Sequence, residues 1–120
     1  MKKKILVVDD EHGIVKLMSM RLRAKGYKVF EAFDGLECVN MAIKEMPHLI
    51  LLDIKMPQVG GFGAFERLSQ IDKTKNIPII FMTAYHTAEI TAQVLEMGGK
   101  ECMSKPFTGD NIENTVRMYI

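Results

Sequence analysis

The chain has 120 residues, of which 48% are hydrophobic and 26% are charged, and this is enough for one folded domain and too few for two. Lys and Arg outnumber Asp and Glu by 16 to 15, so the net charge of +1 gives no electrostatic reason to expect binding to nucleic acid or to a membrane. The apolar run Ile5–Val8 stops at Asp9, whereas a signal peptide needs an apolar region of at least about 7 residues. No apolar run approaches the ~18 residues of a membrane helix, so we expect a cytoplasmic protein.

Short apolar runs alternate with amphipathic stretches along the whole chain. We predict strands over residues 4–9, 27–32, 48–53, 77–82 and 100–104. The third and fourth runs are almost continuously apolar, as expected for central strands that are covered on both faces. Strands that alternate with helices imply a parallel sheet with right-handed crossovers. The predicted fold class is therefore a doubly wound α/β sandwich with five strands.

The first two helices are predicted from apolar periodicity and from residues that begin or end a helix. Each helix is expected to bury one stripe: Ile14, Leu17, Met18 and Leu22 in the first, and Val39, Ala42 and Ile43 in the second. Gly26 can end the first helix at its C′ position. Asp34 with Glu37 three residues later predicts the N-terminus of the second helix, which Pro47 ends.

The remaining helices follow the third, fourth and fifth strands. Their expected buried residues are Phe62, Phe65 and Leu68 in the third helix and Ile90, Val94 and Met97 in the fourth. Gly98 and Gly99 end the fourth helix, and Thr87 is a better N-cap for it than Thr83. The fifth helix is short and covers about residues 110–119.

Charged side chains follow three of the short apolar runs. Asp9 and Asp10 come after Ile5–Val8, Asp53 comes after Leu49–Leu52, and Lys105 follows the fifth predicted strand. The carboxyl ends of parallel strands face a common crevice, so these groups are expected to meet. Carboxylates packed together raise one another's pKa unless a cation is present, and the cluster therefore suggests a divalent metal and a phosphoryl group. The three histidines, including His12 beside the acids, carry no comparable ligand signal, because Mg²⁺ prefers oxygen.

Five short motifs in register resemble the receiver domain of bacterial two-component response regulators. The motifs are Asp9-Asp10, Asp53, Met56-Pro57, Thr83-Ala84 and Lys105-Pro106-Phe107. The resemblance covers essentially all 120 residues, in order and spacing. It implies a flavodoxin-like sheet with strand order 2-1-3-4-5 and five helices. It also predicts a single phosphoacceptor domain over residues 1–120.

The resemblance implies a role for each of these side chains. Asp53 would be the nucleophile that becomes 4-aspartylphosphate, while Lys105 and Thr83 would contact the phosphoryl group. The implied metal is Mg²⁺, with Mn²⁺ as an alternative. Its implied ligands are Asp9, Asp10, Asp53 and the backbone carbonyl of Lys55. The domain would catalyse only its own phosphorylation and slow autodephosphorylation, and we do not expect a turnover enzyme.

The resemblance also implies partners. A sensor histidine kinase or a histidine phosphotransfer protein would donate the phosphoryl group. A downstream effector or a fused output domain would respond to a surface formed by helix 4, strand 5 and helix 5. We expect a monomer, or a dimer that forms on phosphorylation, with no direct binding to nucleic acid or membrane.

Three residues around the site are expected to modulate it. Ala84 is small enough to leave access to the acceptor. Tyr85 and Lys55 would project over the mouth of the site and shield an acyl phosphate from water, which predicts a long-lived phosphorylated form. The residue after the lysine, Pro106, is expected to follow a cis peptide bond, as in the family.

Cys102 is the main departure from the family pattern. Receivers usually carry Tyr or Phe at this position, where the ring moves inward on activation. A cysteine has too little bulk for that role, so switching is expected to be weaker or to pass through the backbone, with Tyr85 as a partial substitute. Neither Cys102 nor Cys38 has metal or redox spacing, and we expect both thiols to be reduced and buried.

Two other functions compete with this interpretation. An aspartyl-phosphate phosphatase of the haloacid dehalogenase type needs a second acid two residues after its nucleophile, and this chain has Lys55 there. A flavodoxin-like cofactor binder shares the topology, but it would hold phosphate in a Ser/Thr/Gly loop where this chain has Asp9-Asp10-Glu11. The residues disfavour both. A colourless protein with negligible turnover of phosphate esters would separate all three functions.

Overall fold

Strands and helices alternate strictly along the residues that the computed structural model describes, which are 1–105 and 109–120. The strands are β1 Lys4–Val8, β2 Lys28–Ala32, β3 Leu49–Asp53, β4 Ile79–Thr83 and β5 Glu101–Ser104. The helices are α1 His12–Ala24, α2 Gly35–Glu45, α3 Gly61–Ser69, α4 Ala88–Met97 and α5 Gly109–Tyr119. All neighbouring strands are parallel and the sheet order is β2-β1-β3-β4-β5. The predicted fold class, strand order and number of elements are confirmed.

The hydrophobic core has two halves, one on each face of the sheet. Side chains alternate along each strand, so Leu6 and Val8 enter one half while Ile5 and Val7 enter the other. Helices α2, α3 and α4 cover the first half, and α1 and α5 cover the second. Every residue of β3 and β4 is buried, as the continuous apolar runs predicted.

The buried stripes of α1 and α2 differ from the predicted ones. Leu17 is 52% exposed and Ile43 is 36% exposed, so both predictions were wrong. Val15 and Ser19 are buried on α1, and Cys38 is buried on α2. The buried face of α1 is thus rotated away from Leu17. Because the buried Ser19 is polar, it interrupts the apolar pattern from which the buried face was predicted.

The helix ends follow the predicted capping residues. Gly26, just beyond α1, has a left-handed φ of 97°, which glycine adopts without steric cost. Asp34 accepts a hydrogen bond from the backbone N–H of Glu37 at 2.8 Å, and the Glu37 carboxylate accepts one from Phe33 N–H at 3.2 Å. Among the described residues no helix is long and apolar enough to cross a bilayer.

The sheet register aligns the polar strand ends. Val8 pairs with Leu52, so the residues that follow them, Asp9 and Asp53, continue the two strands side by side. Thr83 pairs with Ser104, and Lys105 follows directly. The parallel arrangement therefore gathers the predicted site at one edge.

Candidate functional site

Three carboxylates meet at the carboxyl ends of β1 and β3. Asp9 is fully buried and Asp53 is 4% exposed, whereas Asp10 lies at the surface. One carboxylate oxygen of each residue lies within 4.8 Å of the other two. Asp9 is oriented by the backbone N–H of Glu11, which donates to its Oδ1 at 3.0 Å. The structure thus brings together the acids that the sequence predicted.

Lys105 enters this cluster from the end of β5. Its Nζ lies 2.7 Å from Asp9 Oδ2 and 3.3 Å from Asp53 Oδ1, and its side chain is only 9% exposed. The contact with Asp9 is the shorter of the two. Glu11 also reaches the ammonium at 3.8 Å from the solvent side. The ammonium of Lys105 is therefore shared among three carboxylates.

The electrostatics of Asp53 reflect this crowding. Burial raises its pKa from 3.8 to about 6, and the negative charges of Asp9 and, more weakly, Asp10 act in the same direction against Lys105. Burial alone would lower the pKa of Lys105, but its hydrogen bond to Asp9 and the charges of Asp53 and Asp9 raise it above the ordinary value. The one ammonium leaves negative charge in excess, and this favours a further cation.

Thr83 is the last residue of β4, the strand beside β3. It is 3% exposed, and its Oγ1 accepts a hydrogen bond from the backbone N–H of Tyr85 at 3.0 Å. The N-cap of α4 is Thr87, as predicted, since its hydroxyl accepts from Ile90 N–H at 3.1 Å. Because the oxygen of Thr83 is an acceptor here, its hydroxyl proton is available to a second partner.

An open cavity of about 500 Å³ lies above the acids. The predicted modulating residues Lys55, Ala84 and Tyr85 all line it. Lys55 Nζ lies 4.8 Å from the centroid of the Tyr85 ring, in a cation–π contact across the mouth. The sequence predicted both side chains at the mouth and gave no signal that they touch each other.

Gly61, at the start of α3, supports the end of β3 because it has no side chain. A Cβ at this position would lie 2.3 Å from the carbonyl oxygen of Asp53, a distance that real contacts do not allow. The backbone of α3 therefore presses directly on the end of β3. Gly61 N–H also donates to Ile54 O at 2.8 Å, which fixes the turn that follows the acceptor.

Comparison with known proteins shows the family to which the chain belongs. The model of the response regulator receiver domain matches residues 5–117. The chain belongs to the response regulator receiver family. This confirms the resemblance drawn from the five motifs, and it decides against the phosphatase and the cofactor binder.

Other receivers resemble the chain over different shares of their length. Sporulation initiation phosphotransferase F of Bacillus subtilis is 38% identical over 120 residues, which are 100% of this chain and 95% of that protein. The DNA-binding master transcriptional regulator RpaA of Synechocystis is 33% identical over 98% of this chain, but the match spans only 48% of the regulator. The structure of chemotaxis protein CheY4 of Vibrio cholerae has a TM-score of 0.95 at 28% identity and covers 100% of both chains.

The two cysteines of this receiver domain are free thiols, and both are buried. Burial raises the pKa of Cys38 to about 12, with a smaller contribution from Asp34, so the thiol stays protonated. Cys102 lies on β5, where burial and the charge of Glu101 raise its pKa. The predicted burial of both cysteines is confirmed, and neither forms a disulfide. The predicted cis peptide at Pro106 falls outside the described residues.

Proposed function

We propose that residues 1–120 form one cytoplasmic receiver domain that accepts a phosphoryl group on Asp53. The observation that carries the proposal is the shared cation. The Lys105 side chain is almost fully buried, and its Nζ lies 2.7 Å from Asp9 Oδ2 and 3.3 Å from Asp53 Oδ1. An ammonium held between two carboxylates can neutralise an incoming phosphoryl group without a large rearrangement, and positioning with charge neutralisation is most of what phosphoryl transfer requires.

Asp53 is the nucleophile of the proposed reaction. With a pKa of about 6, its carboxylate is mostly ionised at neutral pH, although its burial makes the charge costly. One oxygen attacks the phosphorus in line with the departing group, and an acyl phosphate results. Lys105 then pairs with the phosphoryl oxygens, and the hydroxyl of Thr83 donates to the same group.

The donor set fits Mg²⁺, with Mn²⁺ as the alternative. Asp9, Asp10 and Asp53 offer oxygen atoms only, and one ammonium does not balance their charge. Hard divalent ions prefer such ligands and retain several waters. The backbone carbonyl of Lys55, which borders the same cavity, completes the proposed set. The bound ion would supply positive charge to the phosphoryl oxygens.

The proposed phosphodonor is a sensor histidine kinase or a histidine phosphotransfer protein. An exposed stripe without charged residues runs along α1 away from the acids. It is formed by Gly13, Leu17, Met20 and Ala24. Leu17 is 52% exposed and Met20 is 62% exposed, and the spacing of the stripe suits an apposed helix. A helix that carries the phosphohistidine could pack on this stripe and reach Asp53.

The proposed output surface consists of α4, β5 and α5. Leu95 on α4 and Met118 on α5 are 55% and 70% exposed there, which suits contact with an effector, an output domain or a second copy. Cys102 lies on β5 in place of the usual aromatic ring. We propose that phosphorylation changes this surface modestly, through the backbone of the β4–α4 connection, because the thiol has too little bulk to act as a lever.

Labelling with acetyl phosphate and Mg²⁺ tests the acceptor. The wild-type protein should take up one acid-stable, base-labile phosphoryl group. Asp53→Ala should take up none, whereas Asp72→Ala, a carboxylate that is 96% exposed and remote from the site, should behave like the wild type. Chelator or Asp10→Ala should reduce labelling by orders of magnitude. Stoichiometric labelling of Asp53→Ala contradicts the proposal, and unchanged labelling in chelator contradicts the metal role.

Transfer from a phosphorylated histidine phosphotransfer protein tests the α1 stripe. Leu17→Lys puts a charge in the stripe and should slow this transfer at least tenfold relative to labelling by acetyl phosphate. Leu36→Lys on α2, at a site that is 47% exposed, is the matched control and should leave the ratio of the two rates unchanged. Equal ratios for both variants would exclude the stripe as the docking surface.

A further inference from the structure

The imidazole of His86, in the connection between β4 and α4, contacts both α4 and β5 beside the site. Its Nε2 lies 2.5 Å from the hydroxyl of Thr91 in the first turn of α4. Its Nδ1 lies 2.6 Å from the hydroxyl of Ser104, the last residue of β5. A hydroxyl can donate or accept, so the two ring nitrogens can each form a hydrogen bond here. The proposed reaction uses none of these three side chains.

The contact with Ser104 lies next to two residues that the reaction does use. Lys105 follows Ser104 directly, and Thr83 precedes His86 by three residues. The backbone N–H of Lys105 donates to Thr83 O at 2.8 Å, at the end of the ladder that joins β4 and β5. The His86–Ser104 hydrogen bond lies outside this backbone ladder. It ties the side chain of Ser104, the residue before Lys105, to the connection between β4 and α4.

Lys105 needs a fixed backbone because its ammonium works at the end of a long side chain. Four methylene groups separate Nζ from Cα, and ordering a lysine costs up to about 2 kcal/mol of rotamer entropy. The side chain nevertheless stays 9% exposed and aims at Asp9 and Asp53 together. A small displacement of Ser104 would move Nζ away from one carboxylate or the other.

We propose that His86 is a positioning residue, which acts through Ser104 to hold Lys105 on the two carboxylates. The inference rests on the proposed function, because it concerns how that site is kept ready for transfer. His86 contacts no reacting atom, and its effect on the reaction passes through the backbone of β5. The second contact, with Thr91, orients the imidazole toward Ser104 and adds the start of α4 to the same network.

The first test needs neither metal nor phosphodonor. The two Hε protons of Lys105 have distinct NMR shifts when the side chain is held, and the shifts merge when it rotates freely. His86→Ala and Ser104→Ala should each merge them, and His86→Gln, whose amide keeps a donor and an acceptor, should restore them. Distinct shifts in both alanine variants would overturn the proposal even if the protein accepts no phosphoryl group. Absence of labelling in the wild type would instead overturn the proposed function.

The second test is a double-mutant cycle on the rate of labelling by acetyl phosphate at saturating Mg²⁺. Each alanine variant should be about fivefold slower, the loss that one hydrogen bond of ordinary strength produces. The double variant should also be about fivefold slower, because both substitutions remove the same link. Glu89→Ala, at an exposed position in the first turn of α4, is the control for general loosening and should leave the rate unchanged. A loss of about 25-fold in the double variant, no loss in the single variants, or an equal loss in Glu89→Ala would overturn the proposal.

Discussion

Asp53→Asn should stabilise the receiver domain, because the wild-type site holds a charge that the fold disfavours. Burial and neighbouring acids raise the pKa of Asp53 from 3.8 to about 6, and its side chain is 5% exposed. Each pKa unit corresponds to 1.36 kcal/mol, so ionising Asp53 costs the folded state about 3 kcal/mol above pH 6. The raised pKa means that the folded state binds more protons than the unfolded state between about pH 4 and 6. The folded state therefore loses stability as the pH rises through this range. Asn keeps the shape and removes the charge.

Urea unfolding in chelator measures the effect. Asp53→Asn should raise the free energy of unfolding by about 3 kcal/mol at pH 7 and by only about 1 kcal/mol at pH 4.5, where the wild-type carboxyl is largely protonated in the folded state. Asp72→Asn, at a fully solvated position, should change it by less than about 0.5 kcal/mol. Adding Mg²⁺ should raise the stability of the wild type and narrow the difference. No gain at pH 7, or a gain that is the same at both pH values, would refute the electrostatic reasoning.

Two further predictions concern the phosphorylated form. It should be long-lived, because Tyr85 and Lys55 contact each other at 4.8 Å over the mouth through which water must approach. Tyr85→Ala and Lys55→Asn should each speed the decay of the aspartyl phosphate. A half-life of seconds that neither variant changes would count against shielding. Amide NMR shifts with and without beryllofluoride should change little around Cys102, and changes as large as those of aromatic-bearing receivers would mean that the ring is dispensable.

The sequence predicted the sheet and the site acids well for a physical reason. Parallel strands covered on both faces leave long apolar runs, and polar residues at their ends fall in one crevice, so Asp9, Asp53 and Lys105 followed from position alone. The buried face of α1 was harder, because Leu17 and Val15 belong to two overlapping apolar stripes. Only packing against the sheet decides which stripe is buried.

Contacts at the rim were beyond prediction because they depend on loop conformation and side-chain rotamers. The pairing of Lys55 with Tyr85 and the link from His86 to Ser104 join side chains that come from different loops and strand ends. No periodicity relates such positions. Glu11 is similar, since it sits at the N-cap of α1 but turns its carboxylate toward Lys105 at 3.8 Å and does not cap the helix.

The excess negative charge of the site affects both the folding stability of the domain and its affinity for a cation. Burial and, after it, repulsion from Asp9 and Asp10 raise the pKa of Asp53. The proposed cation would offset this charge crowding, so its binding would recover folding free energy that the ionised site costs. Substitutions that relieve the crowding should therefore stabilise the empty domain and weaken its metal affinity together. The ammonium of Lys105 offsets part of the negative charge of Asp9 and Asp53, and the proposed ion would offset the rest. A receiver whose acids were fully neutralised by its own lysines would be more stable, but it would have less affinity for the proposed metal.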